Sequence, residues 1–479
     1  MKMFEPQRTH PFGIINAFIK NLRLILNALL PTIIILISNS TGRRFILPAV
    51  GLILIVYIGY NLAVWYRFVY YIADEELRIE YGLIARKKRY VPLERIQSIQ
   101  IRVSLIQRWL GLVSLQVETA GGGPQAEVLL SSIRREHAEK LRQILEPGHS
   151  TTSDTMADRQ ENPAFSQYRL SGTELLITAL TSSSIGFIFA GMFALLSQVS
   201  QFLPEAIDPY LLTEQYLDLL LHMGWLIALC IILMILLLAW LIAIVLEVMR
   251  WSNFLLVVEE DQLRISHGLL TRHQISIPRH RIQALQITES LLRQPFGLLS
   301  LKVISASGTA GKSDSSVIMP ILHRSKLSQF LYNAVPELAL DQLEPMPLPT
   351  RAAPRYFIVL FLPLALLSVL CWILLPYGYL ALLLLPLGIW WSWQQYRDAG
   401  YHLEYERLLM RRRRLARISI IVSRRRIQSL DFSQSVFQRR RRLIGIHTAI
   451  AYGNGGLYPL VIGVDEDKIP QLVYWYAKK

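Results

Sequence analysis

Arg95-Ile96-Gln97-Ser98 recurs as Arg281-Ile282-Gln283-Ala284 and again as Arg426-Ile427-Gln428-Ser429. The copies stand 186 and 145 residues apart. At those offsets, without gaps, other positions coincide: Ile99 with Leu285 and Leu430, Ile101 with Ile287 and Phe432, Ser104 with Ser290 and Ser435, Gly122 with Gly308 and Gly453. Self-similarity at fixed offsets constrains the architecture before any single element is assigned. It indicates one soluble unit of roughly 80–100 residues, an ordinary small-domain size, used three times.

Within the first unit, residues 76–80 alternate and Gly82 makes a turn. Residues 84–91 then read as a second strand with a basic middle, Arg86-Lys87-Lys88-Arg89, ended by Pro92. Ile99 and Ile101 suit one strand face, and Ile96 has the opposite parity, which predicts a bulge or bend between them. Ser104-Leu105-Ile106-Gln107 is a capping box, repeated at Ser435-Val436-Phe437-Gln438. Ser290 keeps the cap, with Arg293 in place of the Gln and Pro295 cutting the helix short. Residues 112–119 alternate again, and Gly121-Gly122-Gly123 turns them into 127–130. Closing helices are predicted at 134–145, 324–334 and 467–476. Each unit is therefore expected to be an antiparallel, barrel-like set of strands that hides its edges, with a C-terminal helix.

Between the units the chain changes character. Of 479 residues, 52% are hydrophobic, the mean hydropathy is +0.33, the net charge is +15 and the pI is about 9.8. Apolar runs come in pairs at 24–38 and 45–65, 175–199 and 225–248, and 357–375 and 380–393. A membrane-crossing helix needs about 20 such residues, so each pair reads as a transmembrane hairpin. Even numbers of crossings put all three units on one side. The loop 201–223 carries Glu205, Asp208, Glu214 and Asp218 and no Lys or Arg, whereas the units are basic. This places the units and both termini in the cytoplasm; Arg43 and Arg44 in the first hairpin's loop are the minority signal. The expected division is 1–66 (N-terminal segment and hairpin 1), 67–146 (unit 1), 147–170 (polar linker), 171–250 (hairpin 2), 251–336 (unit 2), 337–355 (Pro-rich linker), 356–395 (hairpin 3) and 396–479 (unit 3). Cys230 and Cys371 both sit in apolar runs and imply no disulfide framework. No cleavable signal peptide is evident.

The stretch from Glu260-Asp261-Gln262-Leu263-Arg264-Ile265 through Gly268-Leu269-Leu270, Ile277-Pro278 and Arg281-Ile282-Gln283 to Gly297-Leu298 resembles the bacterial pleckstrin-homology-like domain. The form is that of multi-pass membrane proteins of the YdbS/YdbT kind. The first copy matches at Leu77-Arg78-Ile79, Gly82-Leu83-Ile84, Val91-Pro92, Arg95-Ile96-Gln97 and Gly111-Leu112. The third departs, with Arg413 and Arg442 at the two Gly positions and Ser423 at the Pro position. The resemblance implies a seven-stranded barrel capped by a helix. It says little of activity and points, by analogy alone, to envelope maintenance or tolerance of membrane-active agents.

Ala306-Ser307-Gly308-Thr309-Ala310-Gly311-Lys312-Ser313 is close to a phosphate-binding loop, but Ala306 replaces a required Gly and a strand pattern stands where a helix is needed. A hairpin turn is the better reading. His267, His273 and His280 lack a completing ligand, so no metal is expected; no catalytic group and no cofactor is expected either. The repeated pairs Arg95 and Gln97, Arg281 and Gln283, and Arg426 and Gln428 read as structural ties or a ligand site, with the structural reading preferred. The arginine runs Arg411-Arg412-Arg413-Arg414, Arg424-Arg425-Arg426 and Arg439-Arg440-Arg441-Arg442 are candidates for an anionic membrane surface, worth about 1 kcal/mol per charge. No nucleic-acid motif accompanies them. The apolar segments carry no midplane charge, which favours anchors over a transport path. The expectation is a non-enzymatic, multi-pass inner-membrane protein of bacteria that presents cytoplasmic modules to lipid or to a protein partner. A lipid or small-molecule transporter is the first alternative, and an enzyme with scattered catalytic residues the second.

Overall fold

The computed structural model describes residues 2–13, 43–83, 85–119, 128–145, 166–181, 225–305, 317–374, 378–451 and 457–477. The phosphate-loop-like stretch, the Gly121–Gly123 turn, the loop 201–223 and the first apolar run lie outside them.

Unit 1 comprises β1 (Lys2–Gln7), helix α1 (Arg43–Arg67), β2 (Val69–Ala73), β3 (Glu76–Tyr81), β4 (Lys87–Pro92), β5 (Ile96–Val103), α2 (Leu105–Trp109), β6 (Leu112–Thr119), β7 (Val128–Arg134) and α3 (Arg135–Leu145). Unit 2 comprises β8 (Ser166–Arg169), α4 (Gly172–Leu180), α5 (Trp225–Trp251), β9 (Leu255–Val258), β10 (Gln262–His267), β11 (Arg272–Pro278), β12 (Ile282–Glu289), β13 (Leu298–Ser305), β14 (Val317–His323) and α6 (Leu327–Ala334). Unit 3 comprises β15 (Met346–Pro347), α7 (Ala353–Leu374), α8 (Leu384–Asp398), β16 (Gly400–Glu404), β17 (Arg407–Arg413), β18 (Arg417–Ser423), β19 (Ile427–Ser433), α9 (Val436–Arg439), β20 (Leu443–Ile450), β21 (Leu460–Asp465) and α10 (Ile469–Ala477).

Among the described residues each unit thus has seven strands and a closing helix, but the first strand precedes the apolar helices. β1 pairs with β2, β8 with β9 and β15 with β16, all antiparallel. The apolar segment is an insertion between strands one and two, and the chain leaves and re-enters the same sheet edge. The expected linkers therefore end in strand: Ser166–Arg169 closes one and Met346–Pro347 lies in the other.

The sheets do not close within a unit. Their orders are β1-β2-β3-β4, then β7-β6-β5-β11-β10-β9-β8, then β14-β13-β12-β18-β17-β16-β15, then β19-β20-β21. The second half of each unit joins the first half of the next. At the β5–β11 and β12–β18 joints, edges expected to be hidden by barrel closure are hidden by the neighbouring unit, whereas β4 and β19 remain sheet edges among the described strands. A short 3-10 turn, Leu93–Arg95, Arg279–Arg281 or Arg424–Arg426, carries the chain from one sheet to the next. The bulge comes directly after it, between Ile96 and Ser98, Ile282 and Ala284, and Ile427 and Ser429.

Burial results from this arrangement. Tyr70, Leu77 and Val91 from one sheet meet Ile99, Leu115 and Leu130 from the other, under Leu141 of α3, in the core of unit 1. In β18, Ile420 and Val422 enter the core of unit 3 while Ile421 enters that of unit 2. A strand buried on both faces needs a continuous apolar run; burying each such side chain contributes about 1.5–3 kcal/mol.

The third helix pair is described on both arms. Ser368 Oγ donates to Leu364 O at 2.8 Å and lies 3.1 Å from Ala381 O. A Cβ on Gly388 would come within 2.6 Å of Leu364 Cδ2, so α7 and α8 approach closely there. Among the described residues, Thr350–Leu374 is long and apolar enough to cross a membrane, and almost none of it is buried.

Candidate membrane-facing rim

Two turns in each unit lie at the same end of the sheets. One joins strands three and four, and the other joins strands five and six. In units 2 and 3 both are tied to the apolar helices or to residues beside them. In unit 2, the Gly268 N–H donates to Ser252 O at 2.7 Å and the Leu269 N–H to Met249 O at 2.8 Å, at the C-terminal end of α5. Gly268 has φ +108, and a Cβ there would sit 2.0 Å from Thr271 O, so only glycine fits. His267 behind it is buried, with Nδ1 3.0 Å from Arg250 O and its ring between Trp251 and His273. Burial pushes its pKa down; the hydrogen bond to Arg250 O opposes this, and the Arg250 charge adds to it to a smaller extent.

The second turn of unit 2 is held by Arg293. Its Nε donates to Thr181 Oγ1 at 2.9 Å, its Nη1 to Pro320 O at 2.8 Å and its Nη2 to Thr178 O at 3.4 Å. The guanidinium thus caps the carbonyl end of α4, a favourable place for a cation. In unit 3, Trp391 Nε1 of α8 donates to Arg414 O at 3.2 Å, and Arg441 Nη1 to Arg351 O beside α7 at 3.2 Å.

These turns expose large apolar side chains. Trp109 is 87% exposed, Phe296 66%, Phe437 79% and Leu415 71%; Leu110, Leu269 and Leu292 are exposed beside them. Leaving such surface in water forfeits about 25 cal/mol per Å². Contiguous patches of this kind mark contact surfaces, and Trp with basic neighbours suits a membrane interface. The helical turns that present them are well formed: Ser104 with Gln107 and Ser435 with Gln438 make complete capping boxes, as expected. Arg442 adopts φ +53 where Gly111 and Gly297 have +63 and +61, so the third unit keeps this turn without its glycine.

Where the rims of units 1 and 2 meet there is a cavity of about 180 Å³ lined by Arg108, Arg135, Arg272, Leu269, Leu270 and Val103 among others. Burial, then the nearby Arg108 and Arg135, pushes the Arg272 pKa below its usual value. Glu139 also lines it and pairs with Arg135 at 3.0 Å; three guanidiniums against one carboxylate, beside apolar walls, suit a phosphate attached to something greasy.

The arginine runs separate. Arg439, Arg440, Arg441 and Arg442 are exposed on the rim, and so is Arg414. Arg411 and Arg413 are not surface charges. Arg411 is 6% exposed, with Nε on Ser419 Oγ at 2.8 Å and Nη1 on Glu344 Oε2 at 3.1 Å. Arg413 is 7% exposed and paired with Asp398. They share a strand parity and point inward together. Arg412 is half-buried, its pKa lowered by burial and then by Arg414. Arg424 and Arg425 flank Glu406 at the opposite end of β18 from the rim. Arg95, Arg281 and Arg426 occupy equivalent places, each ending its 3-10 turn. Arg281 Nε donates to His280 Nε2 at 3.2 Å, and Arg426 Nη2 to His280 O across the joint at 2.6 Å. Gln283 Nε2 donates to Arg281 O at 3.2 Å, while Gln428 is exposed. Arg281, Gln283 and Arg426 are thus tied to neighbouring turns away from the rim, while the side chains of Arg95 and Gln97 lie outside the described residues. Sequence reasoning missed Arg108, Arg135, Arg272 and Arg293. The run Leu105-Ile106 before Trp109-Leu110, in a helix too short to bury both faces, was the available signal.

The chain matches the family described as Bacterial PH domain over residues 22–148, 184–335 and 357–478. It is similar to the "UPF0699 transmembrane protein YdbT" of Bacillus subtilis (strain 168), at 33% identity over 99% of each chain. No solved structure matches it. Three consecutive units with inserted apolar segments, and full-length similarity to a transmembrane protein, make the chain a membrane protein of the bacterial PH domain family.

Proposed function

We propose that the chain is a non-enzymatic membrane module whose three PH units lie on the cytoplasmic face and grip anionic lipid headgroups along the rim. Three two-helix hairpins anchor it in the inner membrane. One observation carries this reading: the turns that expose Trp109, Phe296, Leu415 and Phe437 are of the same kind as those hydrogen-bonded to the ends of the apolar helices. Anchoring then brings these side chains to the headgroup level, where exposed arginines gain about 1 kcal/mol each from anionic lipid. The cavity between units 1 and 2 would seat a lipid phosphate.

The test uses full-length protein in proteoliposomes. With Cys230 and Cys371 replaced by Ala, an environment-sensitive probe on Leu110→Cys, beside Trp109, should be quenched by headgroup-level lipid quenchers, and one on Gln428→Cys should not. Replacing Arg108, Arg135 and Arg272 by Gln should lower the anionic share of co-purifying phospholipid. Equal quenching at both sites, or an unchanged lipid profile, would refute the rim reading. An envelope-protective role would rest on this surface contact and is the broader setting of the proposal.

A further inference from the structure

Strand pairing between units occurs twice, in one register. β11 meets β5 with Arg272 opposite Val103 and Ser276 opposite Ile99. β18 meets β12 with Arg417 opposite Glu289 and Ile421 opposite Leu285. At the repeat offsets these are the same pairs, since Arg417 corresponds to Arg272 and Glu289 to Val103. The two ends of the chain carry the remaining halves of this joint. β4 of unit 1 corresponds to β11 and β18, and β19 of unit 3 to β5 and β12. Both are edge strands among the described sheets.

Exposure at these edges differs from that at the joints. Ile275 and Ile420 are each 4% exposed, whereas their counterpart Arg89 is open to solvent. Tyr90 is 51% exposed where Ile421 is fully buried. Leu430 and Phe432 are only partly buried where Leu285 and Ile287 are buried. Charged residues on an edge strand ordinarily guard against unwanted pairing. Carrying the joint's register onto the two free edges sets Lys87 opposite Ser433, Lys88 opposite Phe432, Arg89 opposite Asp431 and Tyr90 opposite Leu430. An acidic residue on the facing edge turns a general guard into a selective one.

We infer that β4 of one copy pairs with β19 of a second copy of this chain, repeating the internal joint between molecules. The contact is head-to-tail, so it adds copies without limit unless the rotation closes a ring. The apolar insertions hold each unit beside the membrane, so copies extend along its plane. The pairing does not depend on lipid binding by the rim.

The test is disulfide cross-linking of the full chain in its membrane, with Cys230 and Cys371 replaced by Ala. Residues directly opposite on antiparallel strands have Cα atoms about 4.5–5.5 Å apart, within disulfide reach. Chains carrying Arg89→Cys and chains carrying Asp431→Cys, co-expressed with different tags, should form mixed dimers and no higher species. Both substitutions in one chain should give a ladder. With Lys87→Cys and Ser433→Cys as the linking pair, Arg89→Asp should lower the yield roughly threefold or more, and added Asp431→Arg should restore it. All four positions are exposed, and matched thermal unfolding of the variants confirms that the fold is kept. Self-linking of either single variant at the yield of the mixture would show two-fold pairing and overturn the inference. So would an internally linked monomer, or no link at all, which would assign the edges to another protein.

Discussion

Arg417 stands where unit 2, unit 3 and the third helix pair meet. Its Nη1 lies 3.1 Å from Glu289, its cross-strand partner in unit 2, and its Nη2 2.9 Å from Asp398 at the end of α8. The two carboxylates are 7% and 8% exposed at their side chains and Arg417 is 19%. Burial works against the guanidinium charge, but Glu289 and Asp398 outweigh it and hold the pKa above its usual value. Arg417→Gln removes the charge and shortens the side chain, so that neither carboxylate keeps its cationic partner at this position. Breaking a buried pair costs about 3–5 kcal/mol because the partner stays charged and desolvated. Arg417 is partly exposed and Arg413 still pairs with Asp398, so about 2–4 kcal/mol is the reasoned range. At roughly 2–4 °C per kcal/mol for a cooperative unit of 150–250 residues, the transition should fall by about 5–15 °C. Scanning calorimetry of the detergent-solubilised full chain, at one scan rate, measures this. Adding Glu289→Gln should then cost less than it does alone, with a coupling of about 1–3 kcal/mol. A fall below about 2 °C, or additive effects, would show that the joint is held by strand pairing and apolar burial without help from these charges.

Gly268→Ala should detach the first turn of unit 2 from α5, because the added Cβ meets Thr271 O at 2.0 Å; faster amide exchange at Gly268 and Leu269 would show it, and unchanged exchange would contradict it. His267 has a folded-state pKa below its unfolded value of about 6.5, so its contribution to stability is present above that value and is lost as pH falls through the folded pKa. The loss of unfolding temperature on acidification below about pH 6.5 should therefore be smaller in His267→Gln, measured by the same calorimetry; an identical pH profile would remove His267 from the account. Trp109→Ser should leave stability within about 0.5 kcal/mol, since the ring is 87% exposed, while releasing the first rim from the bilayer in the quenching assay. A large loss of stability would mean that Trp109 packs against protein.

The sequence showed what is local and repeated. The motif at Arg95, Arg281 and Arg426 marks the end of the same 3-10 turn three times, the bulge after Ile96 was readable from parity alone, and both capping boxes form. It did not show the first strand of any unit: Ser166–Arg169 and Met346–Pro347 are too short to display a period of two, and Lys2–Gln7 lies apart from its partner strand, on the far side of the apolar segment. Nor could a charge run separate Arg411 and Arg413 from Arg414. Strand alternation turns the first two inward, and their partners Glu344 and Asp398 are distant in sequence or on a helix. On a strand, as at Arg411–Arg413, alternation divides a run of arginines between two faces, whereas Arg439–Arg442 at a helical turn stays solvated throughout.

The joints between units were half-legible, and the legible half bears on how the protein must be handled. Ile418-Ser419-Ile420-Ile421-Val422 is apolar on both parities, which suits a strand with a neighbour on each side, whereas Lys87-Lys88-Arg89 of the corresponding strand in unit 1 suits an edge. Repeat boundaries alone would suggest residues 397–479 as an independent domain. That fragment would lack β15, and β18 would lose β12, the strand that covers one of its edges. Ile421, fully buried in the core of unit 2, would come into water, and Arg417 would lose Glu289. Such an exposed apolar edge is a template for aggregation. Vesicle binding by the excised piece would therefore report the uncovered edge as much as the arginines at 439–442, so the lipid question has to be put to the whole chain.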